Sequence, residues 1–145
     1  MRTIRFRGKN VAKGIWLFGD LCHCDSTVVS IIPDMKIEQK SKVMLPVSRI
    51  SVGQDTGDTD SNYIPIFEGD IIRGYHVGYP QEGKDTLYIV EFVCGKFICR
   101  RIGDYEYHDE RDCCDLVEVV GVIVGNNIDN QELLKKSYEV CLSDL

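Results

Sequence analysis

The chain has 145 residues, of which 43% are hydrophobic and 28% are charged, and it carries 17 basic against 23 acidic side chains. These values suit one globular domain, or one domain with a small second lobe, and they exclude a disordered or collagen-like chain. No apolar run approaches the roughly 20 residues of a membrane span, and the amino end lacks the apolar stretch of a secretion signal. We therefore expect a soluble intracellular protein without membrane contact.

The cysteine content and the charge restrict the class of protein further. The seven cysteines are an odd number, so we expect thiols in a reducing compartment rather than a disulfide framework. The net charge of -6 argues against a dedicated nucleic-acid-binding protein, whose contact surface is normally basic. However, the first acidic residue, Asp20, is preceded by five basic ones: Arg2, Arg5, Arg7, Lys9 and Lys13.

This basic amino end supports two interpretations. Arg5 and Arg7 alternate with Ile4 and Phe6, so they share one face of a predicted strand. On that face they are candidate contacts for nucleic-acid phosphates. Alternatively, charged side chains on an edge strand prevent unwanted strand pairing, and we favour this second interpretation.

The order of predicted elements indicates an all-β protein, because short β-branched runs are separated by glycine-rich turns. Residues 1–52 are predicted to form an amino-terminal β lobe, with a long strand at Ile15–Cys24. The polar run 53–61 is predicted to be a connecting loop. The second lobe then occupies residues 53–145.

Within the second lobe, the segment Leu87–Arg101 predicts a hairpin. The dipeptide Gly95-Lys96 fits a two-residue type II′ turn, and this register places Glu91 opposite Arg100. The acidic segment Ile102–Asp115 is predicted to be a long exposed loop, and Leu116–Gly125 a strongly apolar strand. Finally, Asp129 and Glu132 form a capping-box pattern that predicts a short helix.

The segment Gln54–Ile72 resembles a motif of the YopX family of phage and prophage proteins, close to Q-Y-T-G-L-K-D-x-N-G-x-x-I-Y-E-G-D-I-V, and it aligns without a gap. Two further blocks resemble the family's ends in the same order. The amino-terminal block consists of Met1–Lys9 and Gly14–Leu21, which contains Trp16, and the carboxyl-terminal block is Val124–Leu134. The chain departs from the motif at Asp55, Tyr63 and Gln131, which replace an aromatic residue, a glycine and a proline. The positions that carry the resemblance are Trp16, Gly57, Asp60, Glu68, Gly69, Asp70, Gly125 and Asn126.

The resemblance covers nearly the whole chain. It implies a mostly β fold with an SH3-like barrel in the carboxyl half, and an origin in a phage or integrated element of a bacterium. It implies no established activity. We interpret the matched positions as structural: Gly57 and Gly69 suit turns that need a positive φ, and Asp60 suits side-chain-to-backbone turn bonds.

Three groups of residues are candidates for chemical sites. The run Asp58–Asn62 imitates the opening of an EF-hand loop but has Tyr63 where that loop needs glycine. The carboxylates and imidazole of Asp104–Asp112 have the composition of a metal-dependent hydrolase, without a reason to converge on one point. Cys22-His23-Cys24 and Cys113-Cys114 lack the C-x₂₋₄-C spacing of structural zinc sites. We therefore predict no catalytic residue, no metal and no cofactor.

These observations leave three functional hypotheses. The first is a non-enzymatic phage or prophage accessory protein in the bacterial cytoplasm, which binds another protein and forms a homo-oligomer. The second is a nucleic-acid-binding barrel that uses Arg5 and Arg7. The third is a metal-dependent hydrolase built on the loop 104–112. We favour the first.

Overall fold

The structure, a computed structural model, describes residues 3–34, 43–103, 105 and 108–134. Its strands confirm the all-β prediction. In chain order they are β1 (Phe6–Asn10), β2 (Ile15–His23), β3 (Val29–Pro33), β4 (Leu45–Val47), β5 (Gly53–Thr59), β6 (Pro65–Phe67), β7 (Asp70–His76), β8 (Thr86–Val93), β9 (Lys96–Ile102), β10 (Cys113–Asp115) and β11 (Val119–Asn126). No helix in the described ranges is long and apolar enough to cross a membrane.

The chain divides into two compact units, one ending at Gly57 and the other beginning at Asp58. The predicted division lies after residue 52, where residues 53–61 are predicted to form a loop. Residues 53–59 form strand β5 instead, so the loop prediction was wrong there. Backbone pairing explains the strand, because Gln54 faces Phe6 and Gly53 faces Arg7 of β1, and such pairing requires no apolar side chains.

The first unit contains an antiparallel sheet in the order β4-β3-β2-β1-β5. Its core lies on one face, where the buried side chains Val29, Ile31 and Val47 pack against Phe6, Leu17, Leu21 and Val52. Hydrophobic burial on alternate positions of short strands therefore accounts for this unit.

The second unit contains an antiparallel sheet in the order β10-β9-β8-β7-β11. Both faces of this sheet are covered. One face carries Ile72, Tyr88, Val90, Cys99, Cys114 and Leu116, and the other carries Ile71, Ile89 and Ile102, against which Val124, Leu133 and Leu134 pack. Among the described residues β10 and β11 are the edge strands, so the sheet is open and barrel-like.

The β8–β9 hairpin corrects the predicted register. Phe92 faces Phe97 and Val93 faces Lys96, so the turn residues are Cys94 and Gly95 rather than Gly95 and Lys96. Both have positive φ, 52° and 80°, which is the type I′ geometry. Glu91 is therefore diagonal to Arg100, yet the two side chains still form an ion pair at 2.6 Å.

Two other predictions concern the carboxyl half. Part of the predicted loop Ile102–Asp115 is strand β10, which pairs with β9. Residues 131–134 are helical, in agreement with a helix after Asp129, and Asn130 accepts a hydrogen bond from Leu133 N. The continuation of this predicted helix, from residue 135, lies outside the described residues.

Candidate functional site

The turn between β5 and β6 is organised by one buried carboxylate. Asp60 is 7% exposed, and its Oδ1 accepts hydrogen bonds from Asn62 N at 2.8 Å and Ile64 N at 3.0 Å. Its Oδ2 accepts a third hydrogen bond, 3.0 Å long, from Ile123 N in β11. Asp60 therefore closes the turn and also attaches it to the edge of the second sheet.

The ionisation of Asp60 follows from these contacts. Burial disfavours the charged form, but the backbone donors Ile123, Ile64 and Asn62 outweigh burial and lower the pKa of the Asp60 carboxyl below its ordinary value. The carboxylate is thus charged at neutral pH and accepts all three hydrogen bonds.

The tip of this turn is strained and exposed. Tyr63 has φ 62°, in the left-handed region that a bulky L-residue adopts at a cost of roughly 1–3 kcal/mol. Tyr63 is 86% exposed and the next residue, Ile64, is 51% exposed. The main chain holds the conformation, since Tyr63 N donates to Asp60 O at 3.0 Å and Asp60 N donates to Ile64 O at 2.9 Å.

A cleft of about 300 Å³ lies next to this turn, on the β7–β11 face of the second unit. Ser61 connects the two features, because it lines the cleft and its N–H donates to Gly121 O at 2.9 Å. The lining residues combine apolar, aromatic and charged side chains with a pair of glycines: Ser61, Arg73, Gly74, Tyr75, Lys84, Asp85, Val120, Gly121 and Val122.

The two glycines face each other across β7 and β11. A Cβ on Gly74 would lie 1.9 Å from Val120 O, and one on Gly121 would lie 2.2 Å from Arg73 O. Such distances are far inside van der Waals contact, so only glycine allows the strands to approach this closely. The backbone of both strands therefore contributes directly to the lining of the cleft.

Sequence reasoning missed this cleft. Its residues come from four separated segments, and the β7–β11 pairing that unites Arg73 with Val122 and Tyr75 with Val120 has no local signature. Lys84 was noticed only within Glu82-Gly83-Lys84, which lacks the glycine spacing of a phosphate-binding loop.

The motif positions that resemble the YopX family lie mainly at turns of the second unit. Gly57 and Gly69 have φ 85° and 93°, and a Cβ on Gly69 would lie 2.7 Å from Asn127 Oδ1. Asp70 is 2% exposed and accepts a hydrogen bond from Phe67 N at 2.8 Å. The neighbouring Glu68 is half-buried. These contacts fix the entry into β7.

Gly125 and Asn126 organise the end of β11. Asn126 Oδ1 accepts hydrogen bonds from Ile128 N and Asp129 N, both at 2.9 Å, and Asn126 N donates to Asn130 Oδ1 at 3.1 Å. A Cβ on Gly125 would lie 2.4 Å from the same Asn130 oxygen. The two positions thus shape the turn that follows β11.

The candidate nucleic-acid contacts, Arg5 and Arg7, are engaged inside the first unit. Arg5 forms an ion pair with Asp34. Arg7 is only 7% exposed, and its guanidinium lies 4.8 Å from the ring centroid of Trp16, which is cation–π geometry. A guanidinium in this position is poorly placed to reach a phosphate.

Two described carboxylates of the acidic loop 104–112, those of Asp109 and Asp112, are paired with arginines. Asp112 pairs with Arg101, whose side chain is 2% exposed, and Asp112 Oδ2 also lies 2.9 Å from His108 Nδ1. Asp109 accepts from Arg111 Nε at 2.8 Å. Glu110 instead accepts a hydrogen bond from the Tyr79 hydroxyl, so the carboxylates that the structure describes here bond to local partners rather than converging on an open position.

One group in the described part of the chain has metal-ligand composition: His76, Cys114 and Glu118, with ligand atoms within 4.8 Å of one another. His76 Nδ1 accepts a hydrogen bond from Gly78 N at 2.9 Å. A neutral imidazole that accepts at Nδ1 carries its proton on Nε2, and Nε2 faces Glu118 Oε2 at 3.6 Å. Because this tautomer offers no lone pair at Nε2, the group does not fit a metal ion.

The Cys114 thiol of this group is engaged inside the fold, where its Sγ donates a weak hydrogen bond to Cys99 O at 3.8 Å. Burial, together with the nearby charge of Glu118, raises the pKa of Cys114 to about 12. In the metal-free protein Cys114 is therefore a neutral thiol at physiological pH. Cys22 and Cys24, the other half of the zinc hypothesis, are free thiols in the first unit.

Comparison with known proteins gives the fold and nothing finer. No family model matches the chain, and no curated protein matches it significantly. Among solved structures, the chain is similar to protein EF1440 from Enterococcus faecalis, with a TM-score of 0.54 and 19% identity over 92% of this chain and 99% of that one. At this identity the likeness concerns the fold alone, so membership of the YopX family stays a prediction.

Proposed function

We propose that the protein is a non-enzymatic protein-binding module, and that the turn carrying Tyr63 is part of its contact surface. We also propose that it belongs with the YopX proteins as a phage or prophage accessory protein of the bacterial cytoplasm, and that it forms a homo-oligomer.

The observation that carries the binding proposal is the conformation of Tyr63. Its side chain is 86% exposed, so packing within the fold does not account for an aromatic residue in a left-handed conformation. Backbone strain of this kind concentrates at functional positions. The position is also one where the YopX motif has glycine, the residue that would remove the strain.

The turn has the properties of a rigid anchor. Aromatic side chains dominate the binding energy of many interfaces, and an anchor held rigidly before binding loses less entropy when it binds. Here Asp60 fixes the turn through three hydrogen bonds, and the apolar neighbour Ile64 extends the exposed surface.

Affinity capture with matched variants tests this proposal. Tyr63→Gly removes the ring and relieves the strain, whereas Cys94→Gly relieves similar strain at φ 52° in another exposed turn. We expect wild type and Cys94→Gly to retain the same stoichiometric partner from lysate of a bacterium carrying the element, and Tyr63→Gly to lose it. Equal retention by all three proteins would refute a role for Tyr63.

The nucleic-acid alternative has a separate readout in the same experiment. Nucleic acid retained in place of a protein, and released by moderate salt, would favour a backbone-phosphate contact. Light scattering of the purified protein over a concentration series tests the homo-oligomer.

A further inference from the structure

We propose that the cleft between Tyr75, Val120 and Lys84 binds a short extended segment of the protein partner in which an acidic side chain adjoins an apolar one. This inference rests on the proposed binding function and adds the chemistry of the ligand.

The charges of the cleft are the first argument. Arg73 and Lys84 line it with one carboxylate, Asp85, and neither cation forms an ion pair or a side-chain hydrogen bond with the residues that the structure describes. Elsewhere many basic groups are paired, as in Arg5–Asp34, Lys96–Asp115, Arg100–Glu91, Arg101–Asp112 and Arg111–Asp109. Two cations against one carboxylate give the lining a net positive charge in a chain whose net charge is -6, and this favours an acidic ligand.

The shape and the apolar lining are the second argument. The cleft volume of about 300 Å³ lies at the lower end of the range of ligand-pocket volumes, so the cleft suits a short segment rather than a large cofactor. Tyr75 and Val120 lie opposite each other on neighbouring strands, and Val120 is 37% exposed. They provide an apolar surface beside the cations, which matches a ligand that alternates acidic and apolar side chains.

Position is the third argument. Ser61 belongs both to the cleft lining and to the turn that ends in Tyr63. A segment bound in the cleft therefore lies beside the turn that carries Tyr63. One continuous partner surface can then contact both features.

The test is direct binding of a fluorescein-labelled short peptide of alternating Glu and Leu, measured by anisotropy. A peptide with Gln in place of Glu and one with Ser in place of Leu are the matched ligand controls. We expect the Glu/Leu peptide to bind more tightly than either control, and binding to weaken as salt rises.

Three variants locate the site. Lys84→Glu lies in a connection between strands and should weaken binding about tenfold, since charge reversal replaces attraction by repulsion. Lys13→Glu, an exposed cation of the first unit, should leave binding unchanged. Asp85→Asn should strengthen binding about threefold, a gain that misfolding cannot produce.

The inference is overturned if the Glu/Leu peptide does not bind, or if Lys84→Glu and Asp85→Asn both leave its affinity unchanged. Displacement of the peptide by an equal concentration of single-stranded oligonucleotide would also overturn it, in favour of nucleic acid. If capture of a partner depends on Tyr63 but not on Lys84, the proposed protein-binding function stands and only the proposed role of the cleft is refuted.

Discussion

Replacing Asp60 with asparagine tests how much the buried turn stabilises the second unit. The carboxylate accepts hydrogen bonds from Asn62 and Ile64 through one oxygen and from Ile123 through the other. An asparagine side chain keeps one acceptor oxygen but directs its NH₂ group at the third N–H, so donor faces donor. Leaving a buried donor unsatisfied costs about 1–3 kcal/mol. We therefore expect Asp60→Asn to lower the free energy of unfolding by about 2 kcal/mol, measured by urea denaturation at pH 7.

Asp25 provides the matched control. It also accepts three hydrogen bonds, from Thr27 N, Thr27 Oγ1 and Val28 N, but it is exposed. Water replaces lost hydrogen bonds at an exposed site, so Asp25→Asn should destabilise the protein much less. Equal losses in the two variants would refute the argument that burial makes the Asp60 contacts costly to remove.

The same carboxylate predicts a pH dependence. Because hydrogen bonding lowers the folded-state pKa of Asp60, its contribution is fully present above the ordinary carboxyl pKa of about 4 and is lost as pH falls through the lower folded-state value. The difference in stability between wild type and Asp60→Asn should therefore begin to shrink as pH falls below about 4 and should vanish only below the lower folded-state pKa. A constant difference down to acid pH would contradict this assignment.

Three further predictions follow from backbone and side-chain geometry. Tyr63→Gly and Cys94→Gly should each raise the free energy of unfolding by about 1 kcal/mol, because glycine relieves the left-handed strain and its own entropic cost is smaller than that strain. A loss of stability in urea titrations would contradict the assignment of strain to these positions. Gly74→Ala should lower the free energy of unfolding by about 2 kcal/mol or more, since its Cβ would lie 1.9 Å from a carbonyl oxygen of the neighbouring strand. An unchanged denaturation midpoint would show that the strands separate easily. Micromolar zinc should not raise the Tm, because His76 Nδ1 accepts from Gly78 N, which leaves the proton on Nε2, the atom that faces Glu118. A zinc-dependent rise that Cys114→Ser abolishes would disprove this.

The β8–β9 hairpin shows why the strand pattern could be predicted while its register could not. The predicted and observed registers both place Val90, Phe92, Phe97 and Cys99 on one face, so hydrophobic alternation does not distinguish them. The ion pair between Glu91 and Arg100 does not distinguish them either, because it forms across the diagonal. The two registers differ in the conformation of Cys94, which has a left-handed φ. Its residue type does not predict this conformation.

Strand β5 and the cleft were missed for a different reason. The run Gly53–Thr59 contains no apolar residue, so no hydrophobic period marks it as a strand, and its conformation depends on backbone bonds to β1. The cleft likewise exists only after β11 pairs with β7. Local sequence patterns predict turns, such as those at Asp60 and Asn126, but they do not predict contacts between distant segments.

The attachment of the 60–64 turn to β11 also bears on aggregation. Residues 119–124 read Val-Val-Gly-Val-Ile-Val, an uncharged β-branched run of the kind that forms amyloid-like stacks when it is exposed at the side of a sheet. Ser61 N occupies Gly121 O and Asp60 Oδ2 occupies Ile123 N, so this outer rim is closed to an incoming strand. A chain that loses Asp60 should therefore be prone to fibril formation as well as less stable, which gives this carboxylate a protective role during expression at high concentration.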